Sequence, residues 1–190
     1  TNATGGNWIS HSGVPQSNLE LLPRFFSPSQ IEAEPAEAEA AKLESIELEG
    51  GSHFPEGLDE ESYSSFGDAI HAYMAALPSL QSVDDSRKQA IASGCLAAYS
   101  IDGKLDPSVL VATGDRFAQW VNGMFPDATW RVEVPVLAAR AAGGSWNGTL
   151  DLILELPDGS VSVVDHKSAP IRRANCESKA RQYVSQLDAY

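Results

Sequence analysis

The sequence predicts an α+β (or α/β) domain in which helices flank a central mixed β-sheet with an antiparallel meander. Residues 62–124 place apolar side chains at the 3.6-residue period of helices. Residues 129–167 change to the two-residue alternation of strands, and residues 175–190 return to the helical period. Helices, then three consecutive strands, then a helix indicate one domain built around a sheet.

Start and stop signals set the bounds of the predicted elements. The first helix is predicted over about 66–77, with Pro78 as its stop, and the second over about 83–100. Asp106 and Pro107 give the third helix an N-cap residue and a proline at its first position. The strands are predicted over 129–139, 146–156 and 160–167, and the last helix over about 175–190.

Residues 1–60 differ in composition from residues 62–190. They are polar and turn-rich at first, then acidic and alanine-rich, which predicts a partly flexible linker or extension before the folded domain. No apolar run approaches the roughly 20 residues of a membrane span, and no secretory signal is visible. Cys95 and Cys176 stand in no metal-binding cluster. We therefore expect a cytoplasmic protein that does not enter a membrane.

The net charge of −13 bears on the class of partner. Such a balance argues against a surface that binds nucleic acid by phosphate attraction alone. It remains compatible with an enzyme that acts on nucleic acid, because a cation site gathers carboxylates and a larger assembly can supply the basic channel.

The turn between the last two strands predicts their register. Residues 157–159, Pro-Asp-Gly, suit a three-residue loop with Gly in the left-handed position. Such a loop pairs Leu156 with Ser160. Counting inward, Asp151 then lies opposite Asp165. A two-residue loop would instead shift the register by one and put the two carboxylates on opposite faces.

The three-residue loop predicts a cluster of two carboxylates and an ammonium group. Lys167 lies two residues beyond Asp165 and therefore shares its face. Facing carboxylates repel, and Mg²⁺ removes the repulsion while keeping several of its waters. A neighbouring lysine can orient a water or stabilise charge on a phosphate. The cluster suits phosphodiester hydrolysis, and the alternative is an exposed ion pair at the end of a strand.

Four short motifs occur in order within residues 62–190. They are Gly67-Asp68-Ala69-Ile70-His71, Gly148-Thr149-Leu150-Asp151, Asp165-His166-Lys167 and Gln186-Leu187-Asp188-Ala189-Tyr190. Together they resemble the signature of the PD-(D/E)xK nuclease superfamily. The resemblance is closest to the RecB/AddA-type C-terminal nuclease domain of helicase–nucleases, which are ATP-dependent exonucleases. The first motif here is GxxxH, where that branch has GxxH.

The resemblance implies a restriction-endonuclease-like core and a magnesium-dependent deoxyribonuclease. It implies that Asp151, Asp165 and His71 bind Mg²⁺, for which Mn²⁺ can substitute. It further implies that Asp151, Asp165 and Lys167 are the catalytic residues, and that Lys167 orients the attacking water or stabilises the transition state. Glu133, in the first strand, is interpreted as an exposed strand residue, with a part in the site as the alternative.

The resemblance also implies partners and further site residues. Gln186 and Tyr190 would shape the site and contact DNA. A helicase motor in the same polypeptide or complex would supply the ATPase, since no GxxxxGK[ST] motif occurs in this chain. Relatives continue beyond the last motif, so the domain is expected to be truncated at its C-terminus.

Two other functions stay open at this point. One is a stand-alone exonuclease of the same fold that acts on phage or plasmid DNA. The other is a non-catalytic scaffolding or DNA-binding module that keeps the nuclease fold.

Overall fold

Helices and strands follow one another in the predicted order. The computed structural model describes residues 25–27, 44, 46, 48, 60–139, 144–168, 175–184 and 187. The helices are α1 (Glu60–Leu80), α2 (Asp85–Ala98), α3 (Pro107–Met124) and α4 (Cys176–Arg181). The strands are β1 (Phe25–Phe26), β2 (Thr129–Ala139), β3 (Ser145–Glu155) and β4 (Val161–Val164). Within these described residues, no helix combines the length and the apolar character needed to cross a bilayer.

The sheet is organised around β3. β2 pairs with it antiparallel along its length, and β4 pairs antiparallel with its second half. β1 pairs in parallel with the start of β3, at Ser145 and Trp146. The sheet is therefore mixed, and its β2–β3–β4 meander together with the helices makes an α+β domain, as the sequence predicts.

β1 was not predicted as a strand. It lies within residues 1–60, the segment interpreted as a linker or extension, and its backbone pairs Phe25 with Ser145 and Phe26 with Trp146. A strand of two residues carries no periodicity that a sequence pattern could reveal.

The end of α1 corrects one prediction. The helix continues through Pro78 to Leu80, so Pro78 does not stop it. A proline inside a helix removes one backbone donor and crowds the preceding turn. Here it stands two residues from the helix end, and both Leu77 and Leu80 are buried in the core. Burial of Leu80 offsets the cost of carrying the helix past the proline.

The starts of α2 and α3 are capped by aspartates. Asp84 Oδ1 accepts a hydrogen bond from the Arg87 amide at 2.9 Å. Asp106 Oδ1 accepts one from the Ser108 amide at 2.8 Å, and Pro107 is the first residue of α3. The predicted cap and proline of the third helix are confirmed.

Two hydrophobic clusters join the helices to the sheet. The larger cluster lies among α1, α2 and α3, and its largest fully buried side chains are Tyr73, Leu96 and Ile101. The smaller one lies between α3 and β3, and its buried members are Val121, Leu152 and Leu154. Phe117 and Trp130 pack against both clusters. α1 is thereby held at a fixed place relative to β3.

The hairpin between β3 and β4 has the predicted three-residue loop. The Leu156 amide donates to the Ser160 carbonyl at 2.9 Å, and Gly159 has a φ of 86°. The register pairs Leu152 with Val164. Asp151 and Asp165 are therefore the next residues on the two sides of the hairpin. β4 ends at Val164, three residues before the predicted end of that strand.

Candidate functional site

α1 and the end of the hairpin meet at Asp151. Its Oδ1 lies 3.4 Å from Nδ1 of His71 on α1. Its Oδ2 accepts a hydrogen bond of 2.7 Å from the His166 backbone amide. Both oxygens of this half-buried carboxylate are therefore engaged, one by the first motif helix and one by the segment after β4.

The contact shifts the ionisation of both side chains. The hydrogen bond that the His71 imidazole donates to the Asp151 carboxylate raises the pKa of His71, against an opposing effect of burial. Burial acts to raise the pKa of Asp151, but its hydrogen bonds with His71 and the His166 amide outweigh this and hold that pKa below the ordinary value. The pair therefore favours a charged imidazolium beside a charged carboxylate.

The His166 side chain packs against α3 and α1. Its ring lies edge-on to Phe117 of α3 at 5.0 Å and to His71 at 6.1 Å between centroids. Burial lowers its pKa, so this imidazole is held neutral. The same residue donates the backbone hydrogen bond to Asp151.

Asp165 and Lys167 form a second charged pair. The Lys167 ammonium lies 2.8 Å from Oδ2 and 3.0 Å from Oδ1 of Asp165. The carboxylate is largely shielded, whereas the lysine is about one third exposed. The ammonium also lies 5.2 Å from the centroid of the Tyr183 ring, on the segment that follows α4.

The structure therefore places four of the predicted residues in two pairs, one around Asp151 and one around Asp165. His71 contacts Asp151, and Lys167 contacts Asp165. The two aspartates lie one residue beyond the last β3–β4 pair, which is Leu152 with Val164. Within the described ranges, no group of three or more His, Cys, Asp or Glu side chains is arranged to hold a metal ion. Oxygen and imidazole donors are nevertheless of the kinds that Mg²⁺ and Mn²⁺ bind.

A cleft of about 420 Å³ opens beside the His71–Asp151 pair. It is lined by Gly67, Asp68, His71, Ala72, Ala75, Tyr99, Glu133 and Asp151. Three of these side chains are carboxylates, which makes the cleft attractive to cations and repulsive to an unaccompanied phosphate. A phosphate would therefore need a cation to enter with it.

Glu133 is an exposed residue of β2, as interpreted from the sequence, and it also lines the cleft. It lies between the β2–β3 pairs Val132–Leu152 and Val134–Leu150, which puts it level with Asp151. Its φ is 50°, unlike that of an ordinary strand residue. The signal in the sequence was its position in β2 opposite Asp151, but reading it requires the β2–β3 register.

Gly67, the first residue of the first motif, lies close to the segment after β4. A Cβ atom on Gly67 would lie 3.0 Å from Oγ of Ser168, the residue after the Asp-x-Lys motif. The absence of a side chain lets α1 approach the segment after β4 closely. This approach is what brings His71, four residues further along α1, to Asp151.

Two predicted site residues, Gln186 and Tyr190, lie outside the described residues. Comparison of the chain with known protein families and with curated proteins finds no match.

Proposed function

We propose that this chain is a metal-dependent DNA nuclease domain that hydrolyses phosphodiester bonds, of the RecB/AddA type. The observation that carries the proposal is the meeting of His71 and the His166 amide on the two oxygens of Asp151. Residues of three motifs that are far apart in the sequence thereby come to one point, at the edge of an acidic cleft.

The metal ion in this proposal is Mg²⁺, with Mn²⁺ as a substitute, held by Asp151, Asp165 and His71. Bound there, it would polarise the phosphate and lower the pKa of a water. Lys167 would exchange part of its contact with Asp165 for a contact with the negatively charged phosphate.

The protein's own groups determine when the site can bind a cation. The His166 amide fixes one oxygen of Asp151 and so sets the direction of the other. His71 can act as a ligand only as a neutral imidazole, and Asp151 raises its pKa. Metal affinity should therefore fall as the pH falls through the raised pKa of His71.

The proposed context is an ATP-dependent helicase–nuclease that processes DNA for repair and recombination. DNA is then the substrate, and ATP is used by the motor rather than by this domain. The order of the four motifs in the sequence supports this context. A stand-alone exonuclease and a non-catalytic scaffold of the same fold are the outcomes that the experiment must separate from it.

The test is degradation of end-labelled linear DNA with Mg²⁺ or Mn²⁺. Asp151→Asn and Lys167→Gln should each reduce the rate by about a hundredfold or more, as expected for groups that bind the metal or stabilise charge in the transition state. Glu155→Gln is the matched control, because it removes a carboxylate from the same strand whose recorded partner is the exposed Arg131. It should leave the rate unchanged.

The outcomes separate the candidates. Cleavage that needs the metal, is lost in both site variants and persists in Glu155→Gln supports a nuclease. Metal-independent DNA binding without cleavage, unaffected by Asp151→Asn, would instead identify a scaffold. Equal cleavage with and without a helicase partner would favour the stand-alone exonuclease.

A further inference from the structure

The ammonium group of Lys167 has partners on two different elements. One is Asp165, two residues before it, at 2.8 Å. The other is the ring of Tyr183, whose centroid lies 5.2 Å away. A cation within about 6 Å of an aromatic centroid is attracted to the face of the ring. The second contact therefore ties the lysine to the segment that follows α4.

The ion pair with Asp165 is a weak means of fixing Lys167. Lysine has a long, flexible stem, and a partly exposed ion pair contributes little to holding it. Under the proposed function, Asp165 also binds the metal, which competes with Lys167 for the same two oxygens. The metal does not compete for the Tyr183 ring, so the ring attracts the Lys167 ammonium whether or not the metal is bound.

Tyr183 is itself held by its backbone. Its amide donates to the Ala180 carbonyl at 2.9 Å, and its carbonyl accepts from the Leu187 amide at 3.1 Å. The ring is half-buried and lies 5.4 Å from a second ammonium, that of Lys179. Lys179 has its own polar partner, because it donates to Oε1 of Gln182 at 2.8 Å.

We propose that Tyr183 is a positioning residue that keeps the Lys167 ammonium beside Asp165 while that carboxylate is shared with the metal. This role rests on the proposed nuclease function. It assigns the segment after α4 a part in the site through a residue that lies outside the four motifs. The aromatic face is the active feature, and the phenolic hydroxyl is not needed.

The contact can be measured without any activity. In the 190-residue chain, the ring current of Tyr183 should shift the ε-methylene protons of Lys167 upfield in the NMR spectrum. Tyr183→Leu should abolish the shift and Tyr183→Phe should retain it. Lys179→Met removes the other ammonium near the ring and should leave the Lys167 shift in place.

Kinetics then test the role. Tyr183→Leu should lower kcat by roughly tenfold to a hundredfold, the scale of a misplaced catalytic group, with a smaller change in KM. Tyr183→Phe should recover most of this loss. Replacing that phenylalanine by analogues with one, two and three ring fluorines weakens the cation–π attraction at nearly constant size, so kcat should fall stepwise along the series.

Each result has a defined meaning. An upfield Lys167 signal together with a stepwise fall of kcat supports the positioning role. An upfield signal with equal kcat across the fluorinated series overturns it, since the ring would then act by packing alone. Identical Lys167 signals in the wild type and Tyr183→Leu also overturn it. Absence of cleavage by the wild type, with the NMR shift present, instead overturns the nuclease proposal on which the role depends.

Discussion

Two histidines a few ångströms apart have pKa values shifted in opposite directions. Asp151 raises the pKa of His71 by a hydrogen bond, whereas burial against Phe117 lowers the pKa of His166. Close to neutral pH, His71 therefore gains a proton more readily than an isolated histidine and His166 less readily. The site therefore favours the charged form of the His71 imidazole and the neutral form of the His166 imidazole.

The first prediction concerns the ionisation of this pair and the effect of that ionisation on stability. In metal-free protein, NMR titration should place the His71 pKa above the ordinary value of 6.5 and the His166 pKa below it. Asp151→Asn should lower the His71 pKa, because the Asp151 carboxylate is the main cause of its upward shift. Mg²⁺ should also lower the apparent His71 pKa, since a metal competes with the proton. A His71 pKa unaffected by Asp151→Asn would contradict the ion pair.

The same shifts give stability a pH dependence of known sign. A raised folded-state pKa makes the His71 contribution fully present below its unfolded pKa and removes it as the pH rises through the folded pKa. Because the pKa of His166 is lowered in the folded state, His166 destabilises the protein at low pH. This destabilisation develops as the pH falls from the unfolded-state pKa towards the folded-state pKa. His71→Asn should therefore destabilise the protein more at about pH 6 than at about pH 8 in urea unfolding.

At the scale of elements, the contact between α1 and α3 depends on one glycine. A Cβ atom on Gly114 of α3 would lie 2.8 Å from both Leu77 Cδ2 and Tyr73 Cε1 of α1. Real Cβ atoms do not approach neighbours this closely, so the Leu77 and Tyr73 side chains or the helices themselves would have to move. Because α1 carries His71, this packing also sets the position of the site.

The second prediction follows from that contact. Gly114→Ala should lower the free energy of unfolding by about 1–3 kcal/mol, because overpacking outweighs the gain in helix propensity. Gly94→Ala is the matched control, since a Cβ atom there meets no atom within 4 Å. It should raise the free energy of unfolding by about 0.5–1 kcal/mol. Equal effects of the two changes in denaturant titrations would show that the helices can separate at no cost.

The whole molecule is stabilised by the clusters that join helices and sheet. Leu154 of β3 is 0% exposed and packs in the cluster with Val121, whereas Leu137 of β2 is 71% exposed. The third prediction is that Leu154→Ala lowers the free energy of unfolding by about 2–5 kcal/mol. Leu137→Ala removes the same atoms from an exposed position and should change it by less than about 0.5 kcal/mol. Chemical denaturation of both variants measures the difference, and a similar loss in both would contradict the assigned core.

The sequence predicted the regular parts of this molecule well and its exceptions poorly. The bounds of β2 agree with the predicted strand because alternation of apolar residues runs through its whole length. The loop at 157–159 and its register were predictable because Gly159 specifies the turn. The course of α1 past Pro78 was not, since it depends on burial of Leu80 by other helices.

The candidate site likewise contains residues that the sequence predicts and contacts that it does not predict. Asp151, Asp165 and Lys167 could be found from local spacing, because turn chemistry and strand period set their relation. The ring of His166 and its contact with Phe117 could not, since α3 is distant in the sequence. The first motif suggests that α1 approaches Asp151, but the position of α1 depends on the packed core between the helices and the sheet.

The φ of 50° at Glu133 affects which substitutions the protein tolerates at this position. A non-glycine residue in this region carries strain of about 1–3 kcal/mol. We expect Glu133→Gly to be more stable than Glu133→Ala by about 1 kcal/mol, the reverse of the usual order in a strand. Thermal unfolding of the two variants tests this, and the usual order would refute the strain. Glutamate at this point of the cleft therefore keeps a carboxylate there at a cost in stability.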